Sequence, residues 1–240
     1  MMKILHKKND KAVSPVVGVM LMLVVTIIIA AVVSAYAGGM TKGEQKAPVL
    51  SMESHVVNDG TWGGSYLDLA VMSVDQPIPT KDLKLITSWK ATDGTKGGVA
   101  VTGPNNTVGS VANTHVGTTA YHSPLGYGNG VNQSVTTSSN GPGGNFYPDQ
   151  MFGNFTLTGG TRMHNVPYGS STYGGYGVSA DSLWAYKDGS KYVYADSRDG
   201  MQAVLGQEWW HLRAGNIVTI KIVHIPSGKV IYNKDVLVEG

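Results

Sequence analysis

The chain has 240 residues, of which 42% are hydrophobic and 14% charged, with a formal net charge of +2 and no cysteine. The small net charge argues against a nucleic-acid partner, because phosphate neutralisation needs clustered Lys and Arg, and the only such cluster lies at the N-terminus. The lack of cysteine excludes disulfides and thiolate metal sites.

The first forty residues divide into a charged segment and an apolar one. Residues 1–11 contain four Lys and one Asp, a side-chain charge of +3, and no further charged residue occurs until Lys42. As a helix, residues 15–37 would be roughly 34 Å long, enough to cross a hydrocarbon layer of about 30 Å. The preceding Lys residues predict a cytoplasmic N-terminus and an external remainder.

Local signals predict where this helix begins and ends. Ser14 is a favourable N-cap and Pro15 a favourable first helical residue, whereas Gly38 and Gly39 are typical of a helix end. A long apolar helix gains little from moving out of lipid into a helix bundle, so small residues must allow the backbones to approach closely. We expect that role for Gly18, Ala30, Ala31, Ser34 and Ala35.

The segment KAVSPVVGVMLM, residues 11–22, resembles the N-terminal signature of archaeal type IV pilins, in which a charged residue and Ala or Gly precede V-S-P-V-[IV]-G-V-[IM]-L-M. The resemblance implies that residues 1–12 are a class III signal peptide and that a prepilin peptidase cuts between Ala12 and Val13, next to Lys11. An ordinary secretory signal fits poorly, since its apolar region has only about 7–15 residues and ends at the cleavage site.

The resemblance also implies what the mature chain does. It implies a structural subunit that polymerises with its own copies through a helix at 13–40 into an extracellular filament for adhesion. The implied partners are the membrane before assembly, the prepilin peptidase, and the pilus assembly platform with its ATPase. Two alternatives stay open, namely a membrane-tethered pilin-like surface protein that binds a ligand and an archaellin-type motility subunit. The Ser14-Pro15 opening favours a pilin over an archaellin.

After a linker at 41–47, the segment 48–240 has the patterns of a β-rich head. Apolar residues alternate with others over 67–72 and 83–90, and turn residues recur at short intervals, which is typical of an antiparallel β-sandwich. The expected fold class is therefore α+β: a long N-terminal hydrophobic α-helix followed by a mostly antiparallel, β-sandwich-like head, as in type IV pilins. Further strands are predicted at 49–57, 183–186, 192–195, 203–205, 216–225 and 229–238, with a hairpin turn at 226–228.

Residues 97–180 are rich in Gly, Ser, Thr and Asn, and Asp149 and Arg162 are their only charged residues. This length exceeds what a compact sandwich needs for its connections, so we expect insertions displayed on the filament exterior. Three N-x-Ser/Thr triplets in such a region predict N-glycosylation. The candidate acceptors are Asn105, Asn132 and Asn154.

No pattern in the chain predicts catalysis, a cofactor or a metal. The seven His residues lack metal-ligand spacing, and neither a nucleophile elbow nor a complete dinucleotide fingerprint is present. The Asp-Gly pairs at 188–189 and 199–200 are explained by hairpin turns as well as by a calcium loop. A late group of tyrosines suits either an adhesive surface or strand packing; it comprises Tyr168, Tyr173, Tyr176, Tyr186, Tyr192 and Tyr194.

Overall fold

The computed structural model describes residues 15–40, 46–61, 63–103, 113–116, 119–132, 138–141, 144–146, 148–167 and 199–240. The chain forms two compact units, Met1–Gln45 and Lys46–Gly240. The division falls inside the linker predicted at 41–47. The second unit, hereafter the head, is treated separately from the helix of the first.

The first unit contains helix α1, Pro15–Met40, which has 26 residues, no acidic residue in its first turn and no basic residue in its last. Its apolar residues surround the helix without leaving a polar face. The hydroxyl of Thr26 donates to the Leu23 carbonyl at 2.9 Å, so it is satisfied within the helix. Across the described parts of the chain, no helix qualifies as a candidate membrane span. The transmembrane role expected for this segment stays a prediction.

The head is mostly β-structure. Its helical elements are α2, Gly200–Leu205, and 3₁₀ turns at Thr80–Asp82, Pro148–Gln150 and Trp209–His211. Its described strands are β1 Leu50–Val57, β2 Tyr66–Val74, β3 Ile78–Pro79, β4 Leu83–Lys90, β5 Lys96–Gly97, β6 Ala100–Thr102, β7 Thr114–Val116, β8 Thr119–Tyr121, β9 Leu125–Gly128, β10 Ser138–Gly141, β11 Gly144–Phe146, β12 Thr156–Leu157, β13 Thr161–Asn165, β14 Ile217–His224 and β15 Lys229–Glu239.

Nine of the described strands form one sheet in the order β5-β4-β14-β15-β1-β2-β13-β9, with β6 also paired to β4. All its pairings are antiparallel except that of β1 with β15, where Val56 lies opposite Val238 and Val57 opposite Glu239. The remaining described strands pair as β10-β11, β12-β3 and β7-β8. A mostly antiparallel head is thus confirmed, but the predicted sandwich of two stacked sheets is not.

The head core lies on one face of this sheet, where the period-two pattern places the apolar side chains. Along β4, Leu83, Leu85, Thr87 and Trp89 are buried and the residues between them are not. Helix α2 is fixed against this strand by two side-chain hydrogen bonds. The Thr87 hydroxyl donates to the Val204 carbonyl at 2.5 Å, and the Trp89 indole donates to the Leu205 carbonyl at 2.7 Å.

The strand predicted at 203–205 is wrong, because these residues belong to α2. Asp199 is the N-cap of that helix and forms a capping box with Gln202: the Gln202 backbone N–H donates to the Asp199 carboxylate at 2.7 Å, and the Asp199 N–H donates to the Gln202 side chain at 3.3 Å. The Asp199-Gly200 pair therefore starts a helix and is not a hairpin turn. Capping boxes of this kind satisfy two backbone donors that a helix start leaves free.

The expectation that 97–180 consists of insertions is wrong for residues 125–128 and 148–167, which are part of the head fold, while display on a filament exterior stays a prediction. The first of these segments is β9 and the second contains β13, and both strands belong to the main sheet. They also supply buried core side chains, namely Phe152, Phe155, Leu157 and Met163. The predicted strands at 49–57, 216–225 and 229–238 are confirmed with small shifts at their ends. Those predicted at 183–186 and 192–195, and the six late tyrosines, lie outside the described residues.

Candidate assembly helix and head cavity

Helix α1 is the first candidate functional element, because its described apolar side chains are exposed. Leu21 is 65% exposed and Met22 71%. In the head, by contrast, Leu67 and Leu69 are fully buried. The exposed large apolar residues of α1 are Val19, Met20, Leu21, Met22, Leu23, Val24, Val25, Ile27, Ile28, Ile29, Val32 and Val33.

The small residues predicted to pack between helices all lie in α1. Gly18, Ala30, Ala31 and Ser34 are exposed, and a Cβ atom built on Gly18 would meet no atom within 4 Å. Ala35 also belongs to α1, but its side chain lies outside the described part. Ala30 with Ser34, and Ala31 with Ala35, have the i, i+4 spacing that places two residues on one side of a helix. The predicted cleavage residues Lys11, Ala12 and Val13 lie outside the described residues.

The second candidate is a site on the face of the head sheet opposite the main core. In the β2-β13-β9 part of the sheet, His164 lies opposite Asp68 on one side and Leu125 on the other. Residues that lie directly opposite each other in antiparallel strands project from the same face. Two positions along, Arg162 lies between Ala70 and Tyr127 in the same way. The antiparallel register therefore brings a carboxylate, a guanidinium, an imidazole and a phenol to one face.

Asp68 organises this group. Its side chain is only 8% exposed, and its Oδ1 atom accepts hydrogen bonds from Arg162 Nε and from His164 Nδ1, the latter at 3.1 Å. Burial by itself would raise the pKa of Asp68, but the hydrogen bonds and positive charge from His164 and Arg162 outweigh burial and lower that pKa. The carboxylate is thus held ionised and fixes both neighbouring side chains.

Aromatic rings and a small satellite core complete this face. The His164 ring lies 5.6 Å from the Tyr66 ring and 6.3 Å, edge to face, from the Tyr127 ring. Tyr127 packs on a buried cluster of Tyr121, Leu125 and Met151. Burial raises the pKa of the Tyr127 phenol, so this side chain stays a neutral hydrogen-bonding group at ordinary pH.

A cavity of about 360 Å³ opens beside these side chains. Arg162, His164, Tyr127, Ser123 and Asn165 line it, together with residues near the start of α2. Asn165 is 3% exposed, and neither its Nδ2 nor its Oδ1 atom has a hydrogen-bond partner among the described residues. Burying an unsatisfied amide costs free energy, roughly 1–3 kcal/mol.

A glycine brings the start of α2 close to the end of β13 at this cavity. A Cβ atom on Gly200 would lie 2.7 Å from the Val166 carbonyl oxygen and 3.5 Å from Asn165 Oδ1. Such a distance to a backbone oxygen is too short for a real side chain, so only glycine permits this approach. The helix start and the strand end therefore form one wall of the cavity.

Other histidines of the head pair with carboxylates at the surface. His211 lies 2.6 Å from Asp93 and 3.4 Å from Glu208, and the backbone N–H of Thr95 followed by His211 lowers the pKa of Asp93 to about 2. Among the described residues, no group of three or more His, Asp or Glu is arranged to hold a metal ion.

The candidate glycosylation sites differ in how exposed the residues are. Asn132 is exposed. Asn154 is half-buried, and its Nδ2 donates to the Pro148 carbonyl at 3.0 Å. Asn105 lies outside the described residues. Glycosylation of all three stays a prediction, and modification of Asn154 would require its amide nitrogen to leave the Pro148 carbonyl.

The group around Asp68 was not among the predicted sites. The alternation of β2 shows Asp68 only as a polar position between two buried leucines, a pattern that usually indicates a solvated face. One signal was present, since Arg162 is one of two charged residues in the segment 97–180. A lone cation in a stretch with one other charged residue draws attention to its partner, but the sequence does not say which residue that is.

Comparison with known proteins finds a match for the region of helix α1 but none for the residues that line the cavity. Residues 11–52 match the family model described as Archaeal Type IV pilin, N-terminal. The match includes α1 and ends within β1, so it confirms the similarity inferred from residues 11–22 and does not reach the strands that carry Asp68 and Arg162. No curated protein matches the chain.

Proposed function

We propose that this chain, whose N-terminal region matches archaeal type IV pilins, is a structural subunit that polymerises through α1 into an extracellular pilus. The observation that carries this proposal is the uncovered apolar surface of α1, which surrounds the whole helix. A helix that is hydrophobic on all sides is typical of a membrane span or of the interior of a larger assembly. A type IV pilin subunit occupies both places in turn.

The energetics require such cover. Twelve large apolar side chains of α1 are exposed in the single chain, and full burial of each contributes roughly 1.5–3 kcal/mol. The total, on the order of 20–35 kcal/mol, exceeds the roughly 5–15 kcal/mol by which a folded domain is stable. The head could not offset this cost if α1 remained in water. We therefore place α1 in the cytoplasmic membrane before assembly and among copies of itself afterwards.

Gly18 supports packing between helices in the assembled state. A glycine inside a helix costs about 1 kcal/mol relative to alanine, and no atom of the described residues lies within 4 Å of the place where its Cβ would be. Packing among the described residues thus gives no reason for glycine at this position. Close approach of a neighbouring subunit supplies a reason, as it does for the small residues at 30, 31, 34 and 35.

The remaining parts of the proposal follow from the role of a pilin. A prepilin peptidase removes residues 1–12, and the assembly platform with its ATPase drives polymerisation. The filament serves for adhesion to surfaces or cells. The protein itself is a structural component and not an enzyme. An archaellin-type motility subunit is disfavoured by the Ser14-Pro15 opening.

One alternative keeps a specific observation in its favour. The lined cavity of the head also suits a pilin-like surface protein that stays tethered in the membrane and binds a ligand. The two proposals differ in what becomes of residues 1–12 and in whether the subunit leaves the membrane.

The deciding experiment maps the N-terminus of the protein in its native host. Fibres sheared from the cell surface and the membrane fraction are analysed by mass spectrometry. We expect abundant subunit that begins at Val13 in the fibres. Chain found solely in the membrane fraction with residues 1–12 attached would instead support the tether.

A charge reversal at the cleavage site tests processing. We expect Lys11→Glu to block cleavage and to accumulate full-length chain in the membrane. Lys8→Glu is the matched control, since it makes the same change in leader charge away from the cut and should yield mature subunit. Mature subunit of normal length from Lys11→Glu would contradict the assignment.

A further inference from the structure

We infer that one end of the head sheet, the end at which the linker joins β1, docks on the lipid surface of the membrane before assembly. This end is hereafter the linker end, and the opposite end of the same sheet is the far end. The inference rests on the proposed function, because that function places α1 in the membrane. It adds a lipid contact of the head that polymerisation through α1 does not require.

The strand topology brings five neighbouring strands to the linker end. β1 begins there, and its antiparallel partner β2 ends there. β15 runs parallel to β1 and also begins there, whereas β14 ends and β4 begins at the same place. Backbone hydrogen bonds connect these segments: the Asp75 N–H donates to the Val49 carbonyl at 3.2 Å, and the Ile225 N–H donates to the Asp82 carbonyl at 2.8 Å. Residues next to these strand ends therefore share one surface.

The linker end carries exposed apolar side chains. Six large apolar residues of the described head are exposed, and two of them, Ile217 and Leu237, lie opposite each other toward the far end. The other four lie before β1, near the end of β2 and on both sides of the β14-β15 turn. They are Val49, Met72, Ile225 and Val230, which are 47–64% exposed. Single exposed apolar residues are ordinary, but several at one end of a domain mark an interaction site.

Three exposed lysines flank these apolar residues, one before β1, one before β4 and one at the start of β15. They are Lys46, Lys81 and Lys229. Two carboxylates share the surface, those of Asp75 and Asp82, and Oδ1 of Asp75 accepts a hydrogen bond from the Val49 N–H at 2.8 Å. Lysine side chains can lie along apolar surface and place their ammonium groups among lipid headgroups. Lysine is depleted at protein–protein interfaces, so this combination favours lipid over a second copy.

The length of the linker keeps the linker end near the membrane. Five residues, 41–45, separate the last residue of α1 from Lys46. Fully extended, they span at most about 20 Å. In any arrangement of the two units, Lys46 therefore lies within that distance of the end of α1. A helix that spans the hydrocarbon layer ends in the headgroup region, so the linker end stays within reach of lipid headgroups.

The covalent tether makes a weak contact sufficient. Because α1 holds the head close to the membrane, docking becomes an intramolecular event with a high effective concentration of lipid surface. A few apolar side chains and lysines then suffice, although they would bind a free head poorly. A weak contact is also reversible, which suits a subunit that later leaves the membrane for a filament.

The test measures the depth of single labels in the full chain, which has no native cysteine. A nitroxide is attached after Ile225→Cys or Val230→Cys at the linker end, after Leu237→Cys as the matched control, and after Val24→Cys in α1. Each chain is placed singly in nanodiscs of phosphatidylcholine and phosphatidylglycerol. We expect collision with a water-soluble nickel chelate to be at least about threefold less frequent at positions 225 and 230 than at 237, since docked apolar side chains lie in the headgroup region.

The label at position 24 separates this inference from the proposed function. If that label lies in lipid while positions 225 and 230 meet the chelate as often as 237, the inference is overturned and the placement of α1 stands. If position 24 also meets the chelate freely, the membrane placement of α1 fails as well. Shielding of 225 and 230 that occurs only when a disc contains two chains would assign the linker end to a second copy, and this too would overturn the inference.

A double charge reversal tests the lysines. Lys46→Glu combined with Lys81→Glu should raise the chelate accessibility of position 230 toward that of 237, with a larger effect in discs that contain phosphatidylglycerol than in pure phosphatidylcholine. Lys90→Glu combined with Lys96→Glu is the matched control, because both lysines are exposed and lie opposite each other at the far end. It should leave position 230 shielded. Unchanged shielding in the Lys46 and Lys81 double variant would contradict the assigned contact with headgroups.

Discussion

Helix α1 and the head differ in the exposure of their apolar residues. Leu69 and Leu85 of the head are at most 1% exposed, whereas Leu21 of α1 is 65% exposed. The head core buries its own apolar side chains, whereas the described apolar side chains of α1 are exposed. The contrast teaches that the head can be understood as a folded domain by itself, while α1 needs the lipid or the neighbouring subunits in which we propose that it lies.

The same contrast extends to charge. No Asp, Glu, His, Lys or Arg occurs between Pro15 and Met40, so nothing in α1 titrates over the acidic and neutral pH range. The head contains two buried carboxylates whose pKa values move in opposite directions: that of Asp68 is lowered, and that of Asp199 is raised to about 7. We therefore expect pH to act on the head and to leave the packing of α1 unchanged.

The largest expected effect comes from truncating one leucine in each region. Leu69→Ala in the full chain should lower the free energy of unfolding of the head by about 2–5 kcal/mol, because it leaves a cavity in a packed core. Leu21→Ala should leave head unfolding unchanged within about 0.5 kcal/mol. Denaturant unfolding in detergent, followed by tryptophan fluorescence, measures both, since the five Trp residues all lie after residue 60.

The pair of substitutions also shows how the comparison could fail. If Leu21→Ala destabilised the head as much as Leu69→Ala, α1 would share the core of the head and the division into two units would be wrong. If Leu69→Ala had no effect, the main core would not depend on β2.

How much of this could be predicted from the sequence differs between the two regions. The start of α1 was predictable at Pro15, because helix starts have strong local signals. Strands β1, β4, β14 and β15 were predictable, because each has one apolar face and the period-two alternation records it directly. The short helix α2 was not, since Val204 and Leu205 also suit a strand and the Asp199-Gly200 pair also suits a hairpin turn or a calcium loop.

The head cavity could not be predicted, because it depends on which strands become neighbours. Asp68 and Arg162 are far apart in the sequence, and only the β2-β13 register places them on one face. The Gly-rich composition of 97–180 suggested exterior loops, yet β9 and β13 arise from that segment. A local pattern does not contain the pairing of distant strands, and a strand of four or five residues gives too few alternations to be distinguished from a loop.

The second prediction uses the buried carboxylate of Asp199. Burial raises its pKa to about 7, against weaker opposing hydrogen bonds from the Gln202 backbone, the Trp209 side chain and the Met201 backbone. Because the folded pKa lies above the unfolded value of about 3.8, ionisation favours the unfolded chain. The head should therefore lose stability as pH rises from about 4 to about 7, by on the order of a few kcal/mol. Asp199→Asn should remove this loss and still cap α2.

Asp68 is a useful control within the same domain, because its pKa shift has the opposite direction. Its folded pKa is lowered, so its contribution to stability is present above its unfolded pKa and is lost as pH falls through the folded value. Thermal unfolding of the wild type, Asp199→Asn and Asp68→Asn between pH 3 and pH 8 separates the two groups. Relative to the wild type, Asp199→Asn should be more stable at pH 8 but not at pH 4. Asp68→Asn should be less stable at pH 8 and much less affected near pH 3. Identical pH profiles for the wild type and Asp199→Asn would contradict the assigned pKa.

The smallest expected effect on stability comes from Gly18→Ala. This substitution separates the intrinsic stability of helix α1 from its role in packing against other subunits. Gly18→Ala should stabilise α1 by about 1 kcal/mol on propensity alone, and no atom of the described residues obstructs the added methyl group. In a filament the same methyl group occupies the space through which a neighbouring backbone approaches. We therefore expect higher helicity in detergent, measured by circular dichroism, together with fewer or shorter filaments in electron micrographs.

Gly63→Ala is the matched control, because that head glycine also has open space around its Cβ and should leave filaments unchanged. Since the helical gain and the assembly loss have opposite signs, normal filaments from the more helical Gly18→Ala chain would mean that position 18 faces no neighbour.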